Sequence, residues 1–288
     1  MYLPDFEYYA PDNIAEACKL LTQFGEKAKL LAGGTDIIIK MKKEVLAPEV
    51  LISTKNLGMN KIEYVPGKGM VIGARATHND LVKSEVLAGK YASVSNAAKQ
   101  MAHNQVRNVG TVGGNISNAV PSADLPPIFI SLNATVKLVG SNGERTVAME
   151  ELFTGPGKTV LAQDEIITEV VIPDQKMTGS NYIKFGLRKS GALAVVGVAV
   201  AVQVENNVIK DARIALGAVA PTPVRAKKAE EFLKGKTVSD ELLAEAGVIA
   251  SGECKPISDI RASAEYRTDL VRIFTRRALR KAIDEGHV

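Results

Sequence analysis

Two glycine pairs set far apart in the chain constrain it more than any other feature: Ala32-Gly33-Gly34-Thr35-Asp36, and Gly110-Thr111-Val112-Gly113-Gly114-Asn115. Glycine is required where the backbone takes positive φ or comes close to another group, and successive free N–H groups in such a turn form an anion-binding concavity. The apolar run Lys29-Leu30-Leu31 leads into the first loop, and a predicted helix over residues 91–102 delivers the chain to the second. Two rigidly held loops can close on one long ligand from opposite sides, and a dinucleotide with its pyrophosphate suits them. Ile37-Ile38-Ile39-Lys40-Met41-Lys42 predicts a helix after the first loop, capped by Thr35 or Asp36, with unpaired N–H groups aimed at the loop. Neither motif is the G-x-G-x-x-G of a Rossmann domain, because the glycine order of the second is 110, 113, 114 and the first has no third glycine.

Composition removes several function classes. A net charge of +4 and 5% aromatic residues argue against nucleic acid as a partner. The longest apolar run, residues 192–202, is about half of what spans a bilayer, and no export signal opens the chain, so a cytoplasmic address is expected. Cys18 and Cys254 lack C-x-x-C spacing, which predicts free thiols and no iron–sulfur cluster on this chain. His78, His103 and His287 show no metal-ligand spacing and read as surface or hydrogen-bonding histidines. Gly155-Pro156-Gly157-Lys158-Thr159 looks like the end of a Walker motif, but Leu152 occupies the position of its first glycine.

Periodicity divides the chain into residues 1–57, 58–175 and 176–288. The first region holds a helix capped by Asp12 or Asn13 and ended by Gly25, then strands at 28–31 and 50–52, a small βαβ-like unit. The second has a hairpin around Pro66-Gly67-Lys68-Gly69, a helix from Thr77 through Leu87, strands at 134–138 and 166–172, and a turn at Asn142-Gly143. The third has strands at 182–187, 195–204 and 208–216, with Asn206-Asn207 as a turn, then helices near 224–234, 239–251 and 264–284. In the last helix Arg267, Arg272, Arg276, Arg277, Arg280 and Lys281 alternate with Leu270, Ile273, Phe274 and Leu279. Such a charge run reads as a solvated face, with a docking surface as the alternative.

The first glycine motif, then Arg107-Asn108-Val109 leading into the second, then Pro121-Ser122-Ala123-Asp124-Leu125-Pro126, resemble the FAD-binding medium subunit of molybdenum hydroxylases, the xanthine and carbon monoxide dehydrogenase family. The resemblance covers essentially the whole chain, including Asp164-Glu165-Ile166-Ile167, Ala218-Val219-Ala220-Pro221-Thr222-Pro223-Val224-Arg225 and Glu265-Tyr266-Arg267. It implies an α+β chain with a vanillyl-alcohol oxidase (p-cresol methylhydroxylase) type FAD-binding fold and a C-terminal α+β domain. It also implies non-covalent FAD held by Lys29, Leu30, Leu31, Ala32, Gly33, Gly34, Thr35, Asp36, Ala102, Gly110, Thr111, Val112, Gly113, Gly114 and Asn115. Asp124 would hydrogen-bond the nucleotide, Lys184 would lie beside the cofactor, and Ile167 and Leu193 would pack near the isoalloxazine.

By the same resemblance the protein is an electron-transfer subunit with no catalytic acid–base pair of its own. A large subunit would carry molybdopterin and a small one [2Fe-2S] clusters, and NAD⁺ is the expected acceptor. Leu193 stands where carbon monoxide dehydrogenase-like relatives carry an aromatic residue, which favours a xanthine dehydrogenase-like member over carbon monoxide, nicotinate or aldehyde types. A stand-alone flavin oxidoreductase and a non-catalytic flavin module are the rival readings.

Overall fold

The structure, a computed structural model, describes residues 2–286; His287, noted above, lies outside them. Strand β1 (Glu7–Tyr9) precedes helix α1 (Ile14–Phe24), whose first turn is capped by Asn13 through the Glu16 N–H and which ends at Gly25 with φ 53°. Strand β2 (Ala28–Leu31), helix α2 (Ile37–Lys42) and strand β3 (Val50–Ser53) complete a parallel sheet of order β1-β3-β2. The edge strand β1 went unpredicted because three residues are too short to show alternation. Asp36 sits at the start of α2, but neither it nor Thr35 caps the helix; the Thr35 hydroxyl donates to the Asp36 carboxylate instead.

Strands β4 (Ile62–Val65) and β5 (Gly69–Gly73) form the predicted hairpin. Thr77 caps α3 (His78–Lys83) in a capping box with Asp80. That helix stops short of Leu87, and residues Glu85–Leu87 form a separate 3₁₀ turn. Helix α4 (Ala92–Gln100) ends before Ala102, whose φ of 41° breaks the chain away from α5 (Asn104–Arg107).

The second glycine segment is a helix start and not a loop. Thr111 accepts the Gly114 N–H at 3.1 Å, and α6 (Val112–Ser117) follows directly. Glycine is a poor helix former, which hides such an element from a propensity reading. Its presence has a steric reason, since a Cβ on Gly113 would lie 2.9 Å from the Ala74 Cβ.

Helix α7 (Leu125–Ser131) is buried along its whole length. Strands β6 (Thr135–Gly140) and β7 (Gly143–Ala148), the ribbon β8 (Phe153–Gly155) with β9 (Lys158–Thr159), and strand β10 (Ile166–Ile172) complete the second unit, an antiparallel sheet of order β4-β5-β10-β6-β7. A third antiparallel sheet joins β11 (Gly179–Phe185), β12 (Val196–Glu205), β13 (Val208–Gly217) and β14 (Val224–Arg225). Asn206 and Asn207, both at positive φ, turn β12 into β13 as expected for a right-twisted two-residue hairpin.

Phe129 and Ile130 of α7 share one apolar cluster with Val136 and Val170 of the second sheet and Ala199, Ala201 and Ala215 of the third. Helices α8 (Lys227–Leu233), α9 (Asp240–Ser251) and α10 (Ala264–Glu285) cover the other face of the third sheet. The charge run on α10 is only partly a solvated face. Arg272, Arg280 and Lys281 pair with Asp269, Asp240 and Glu285 at the surface, but Arg267 is 1% exposed and points inward. It donates to the Val195 and Ala218 carbonyls and to Asp259.

Candidate functional site

A cleft of about 660 Å³ runs between the first two sheets and reaches the third at one end. That is the size range of cofactor sites. The first glycine loop forms one wall, residues around Gly110 and α6 the facing wall, and Ile166 and Ile167 of β10 part of the floor.

The two glycine segments touch directly. A Cβ at position 33 would lie 1.9 Å from the Val109 carbonyl oxygen and 3.2 Å from the Gly110 Cα, so only glycine lets the backbones approach this closely. Gly34 takes φ 74° and turns the chain into α2. Among the described residues the N–H groups of Gly33, Gly34 and Thr35 donate to no protein acceptor. The first loop therefore leaves three successive amides free to donate, the arrangement that suits an anion. The second segment differs: the N–H groups of Val112, Gly113, Gly114 and Asn115 donate to Ala76, Ala74, the Thr111 hydroxyl and Thr111 carbonyl. It offers side chains and a close helical wall.

Of the residues expected to contact a cofactor, Lys29, Leu30, Ala32, Gly33, Gly34, Thr35, Asp36, Ala102, Gly110, Thr111, Gly113, Gly114, Asn115, Asp124, Ile167 and Leu193 line this one cleft. Leu31, Val112 and Lys184 do not. The Leu31 carbonyl accepts from Thr54, Val112 is fully buried, and Lys184 stands behind Asp124.

Asp124 precedes α7 and is held by two groups from β11. The Tyr182 hydroxyl donates to Oδ1 at 2.9 Å and the Lys184 ammonium to Oδ2 at 2.8 Å. Both members of the ion pair are less than a tenth exposed. Burial pushes the Asp124 carboxyl above the usual range, and the Lys184 charge with the two hydrogen bonds pulls it back. Burial, with Asp124 adding to it, drives the Tyr182 phenol well above its usual value. Tyr182 escaped prediction because a tyrosine in an apolar strand reads as core.

The segment that follows β11 returns to the cleft. The Gly191 N–H and the Ser190 hydroxyl both donate to the Ala102 carbonyl, at 3.1 and 3.4 Å, and this tie brings Leu193 to the cleft with 59% of its surface open.

His78 corrects the surface reading of that residue. It is 1% exposed, lines the cleft, and donates its backbone N–H to the Gly110 carbonyl. Burial and the nearby Arg107 charge push its imidazole down to about 4, so the ring is neutral. Its Nδ1 and the Oδ1 of Asn115 are buried without a partner. A run of free amides at residues 33–35 on the wall of a cleft of this size fits a flavin dinucleotide. No cluster of three or more His, Cys, Asp or Glu suited to an ion occurs among the described residues. No helix among them is long and apolar enough to cross a membrane.

The FAD-binding domain of molybdopterin dehydrogenases matches residues 4–175, and the C-terminal domain of carbon monoxide dehydrogenase flavoproteins matches residues 181–282. The chain is 37% identical to the carbon monoxide dehydrogenase medium chain of Hydrogenophaga pseudoflava, over 98% of each. It is 29% identical to the xanthine dehydrogenase FAD-binding subunit of Escherichia coli O157:H7, over 96% of this chain and 95% of that one. A solved structure of carbon monoxide dehydrogenase from Hydrogenophaga pseudoflava superposes with a TM-score of 0.95 at 36% identity, covering 99% of both chains. With a flavin-domain match over more than half of its length and a full-length relative above 30% identity, this chain belongs to the FAD-binding medium subunits of the molybdenum hydroxylases.

Proposed function

We propose that this protein is the FAD-bearing electron-transfer subunit of a hetero-oligomeric molybdenum hydroxylase, passing electrons from an iron–sulfur small subunit to NAD⁺. A large subunit carrying molybdopterin would oxidise the substrate. The observation that carries this reading is the cleft itself, with the free amides of Gly33, Gly34 and Thr35 on one wall and the Gly110–Asn115 segment on the wall opposite.

When bound, FAD supplies two-electron storage and hydride exchange. The chain's own residues bind and orient it. Residues 1–57 and 58–175 act as the two halves of the clamp, and 176–288 contribute Lys184 and Leu193. The first glycine loop takes the pyrophosphate, with residues 29–36 along the nucleotide and Thr111 to Asn115 opposite. Asp124, fixed by Tyr182 and Lys184, hydrogen-bonds the nucleotide, and Ile167 and Leu193 sandwich the ring end. The exposure of Leu193 leaves that end open to an electron acceptor.

The aliphatic Leu193 supports a xanthine dehydrogenase-like member. Whole-chain identity runs higher toward the carbon monoxide dehydrogenase medium chain, 37% against 29%. The partner large subunit sets the substrate, so this chain's part is the same in either type.

The test is an absorption spectrum of the purified chain before and after acid precipitation, then anaerobic NADH. Released FAD whose band NADH bleaches supports the reading. A well-folded chain that takes up no FAD sinks it, and a flavin that NADH leaves oxidised removes NAD⁺ as acceptor.

A further inference from the structure

The charges on the cleft walls do not balance. Lys29, Lys40 and Arg75 line it, against Asp36, Asp124 and Glu165. Asp124 is paired with Lys184 and Glu165 with Arg145, and neither cation lines the cleft, so these two carboxylates are neutralised from behind. Among the described residues Lys29, Lys40 and Arg75 form no ion pair, and only Asp36 remains to offset them. Such a surplus of positive charge suits an anionic ligand.

Arg75 is the arginine of this group, and both glycine segments fix its place. Its Nη1 donates to the Thr54 hydroxyl at 3.2 Å. Thr54 in turn donates its N–H at 3.0 Å and its hydroxyl at 3.4 Å to the carbonyl of Leu31, the last residue of β2 before the first loop. On the other side the Val112 and Gly113 N–H groups donate to the Ala76 and Ala74 carbonyls, which flank Arg75 in the chain. The guanidinium thus stands two hydrogen bonds from the base of the loop whose amides are free, on a backbone pinned to the facing wall.

Most of its donors are unused. A guanidinium carries five N–H groups, and among the described residues only Nη1 has a protein partner. Nε and Nη2 have none, yet they are not enclosed as the His78 Nδ1 is, so solvent reaches them. A planar fork of this kind matches two oxygens of a phosphate at once.

We infer that Arg75 is a cofactor-binding residue that pairs with the pyrophosphate of FAD, beside the amides of Gly33, Gly34 and Thr35. This rests on FAD occupying the cleft, as proposed above.

The experiment titrates FAD-free protein with FAD by flavin fluorescence at several NaCl concentrations, for wild type, Arg75→Met, Arg75→Gln and Arg75→Lys, with thermal unfolding of each FAD-free protein alongside. The pyrophosphate carries the charge of FAD at neutral pH, so the salt dependence reports on that group. We expect Arg75→Met to weaken FAD about tenfold to a hundredfold, the worth of a hydrogen bond to a charged group, and to flatten the fall of affinity with salt. Arg75→Gln carries the same expectation should Arg75→Met fail to fold, and Arg75→Lys should keep the salt dependence and lose less affinity. Wild-type affinity in the folded uncharged variants overturns the inference. A loss of affinity with the salt dependence unchanged also overturns it, because it marks a packing role through Thr54. Wild-type protein that takes up no FAD overturns the reading of the cleft and the inference with it.

Discussion

Gly33 and Val109 meet backbone to backbone, with 1.9 Å between the Val109 carbonyl oxygen and the place a Cβ at position 33 would occupy. No rotamer relieves that contact, because both sides are main chain. Gly33→Ala should therefore part the two glycine segments, costing about 1–3 kcal/mol in stability and at least tenfold in FAD affinity. Gly155→Ala is the control, since nothing lies within 4 Å of its Cβ and its φ is ordinary. Thermal unfolding and FAD titration of both variants check this, and equal behaviour would refute the close-approach argument.

Removing Lys184 should do more harm than removing the whole cluster. Lys184→Met strands Asp124 as a buried carboxylate with only Tyr182 for company, which costs about 3–5 kcal/mol. Adding Asp124→Asn should recover part of that loss. A double-mutant cycle by urea unfolding measures the coupling, and additive losses would mean that the pair is not coupled.

The stability of the FAD-free protein should fall between about pH 6.5 and pH 4. The unfolded chain protonates His78 below about 6.5, whereas the folded imidazole takes a proton only near 4. In that window the unfolded state binds more protons, so stability drops as pH falls, by up to about 3 kcal/mol from this group. His78→Gln should flatten the profile there, seen in urea midpoints measured across the range.

Asp259 makes a second, more acidic window. The side chain and backbone N–H of Arg261, with the Arg267 charge, hold its carboxyl well below the usual range. Its contribution is complete above the unfolded value near 4 and is lost as pH falls through the folded value. Asp259→Asn should remove that acid limb and leave Arg267 with its two carbonyl partners, Val195 and Ala218. Acid unfolding curves that coincide for the two proteins would refute this.

How much of this was legible in the sequence follows from the range of each interaction. Helix α1 with its Asn13 cap, the Asn206-Asn207 turn and strand β10 are set by neighbours in the chain, and the residues announced them. The turn at Gly33 and Gly34 was legible because its cause, glycine at positive φ, is local. The second segment was misread as a loop, because the reason for Gly113 is Ala74, thirty-nine residues earlier and invisible to local pattern. His78 and Tyr182 were missed for the same reason. The burial of one and the carboxylate partner of the other exist only once distant elements meet. Arg267 looked like its helical neighbours until the Val195 and Ala218 carbonyls stood opposite it.

Helix α7 has a bearing on how such chains can be recombined. Phe129 and Ile130 are shared property of the second and third sheets, and Gly217 of β13 leaves no room for a Cβ against Pro127, 2.7 Å away. A chimera joined between residues 175 and 181, where one matched domain gives way to the next, would graft a foreign sheet onto this helix. The graft inherits the cleft only if it brings its own counterparts of Gly217, Tyr182 and Lys184. The natural unit of exchange is the whole chain.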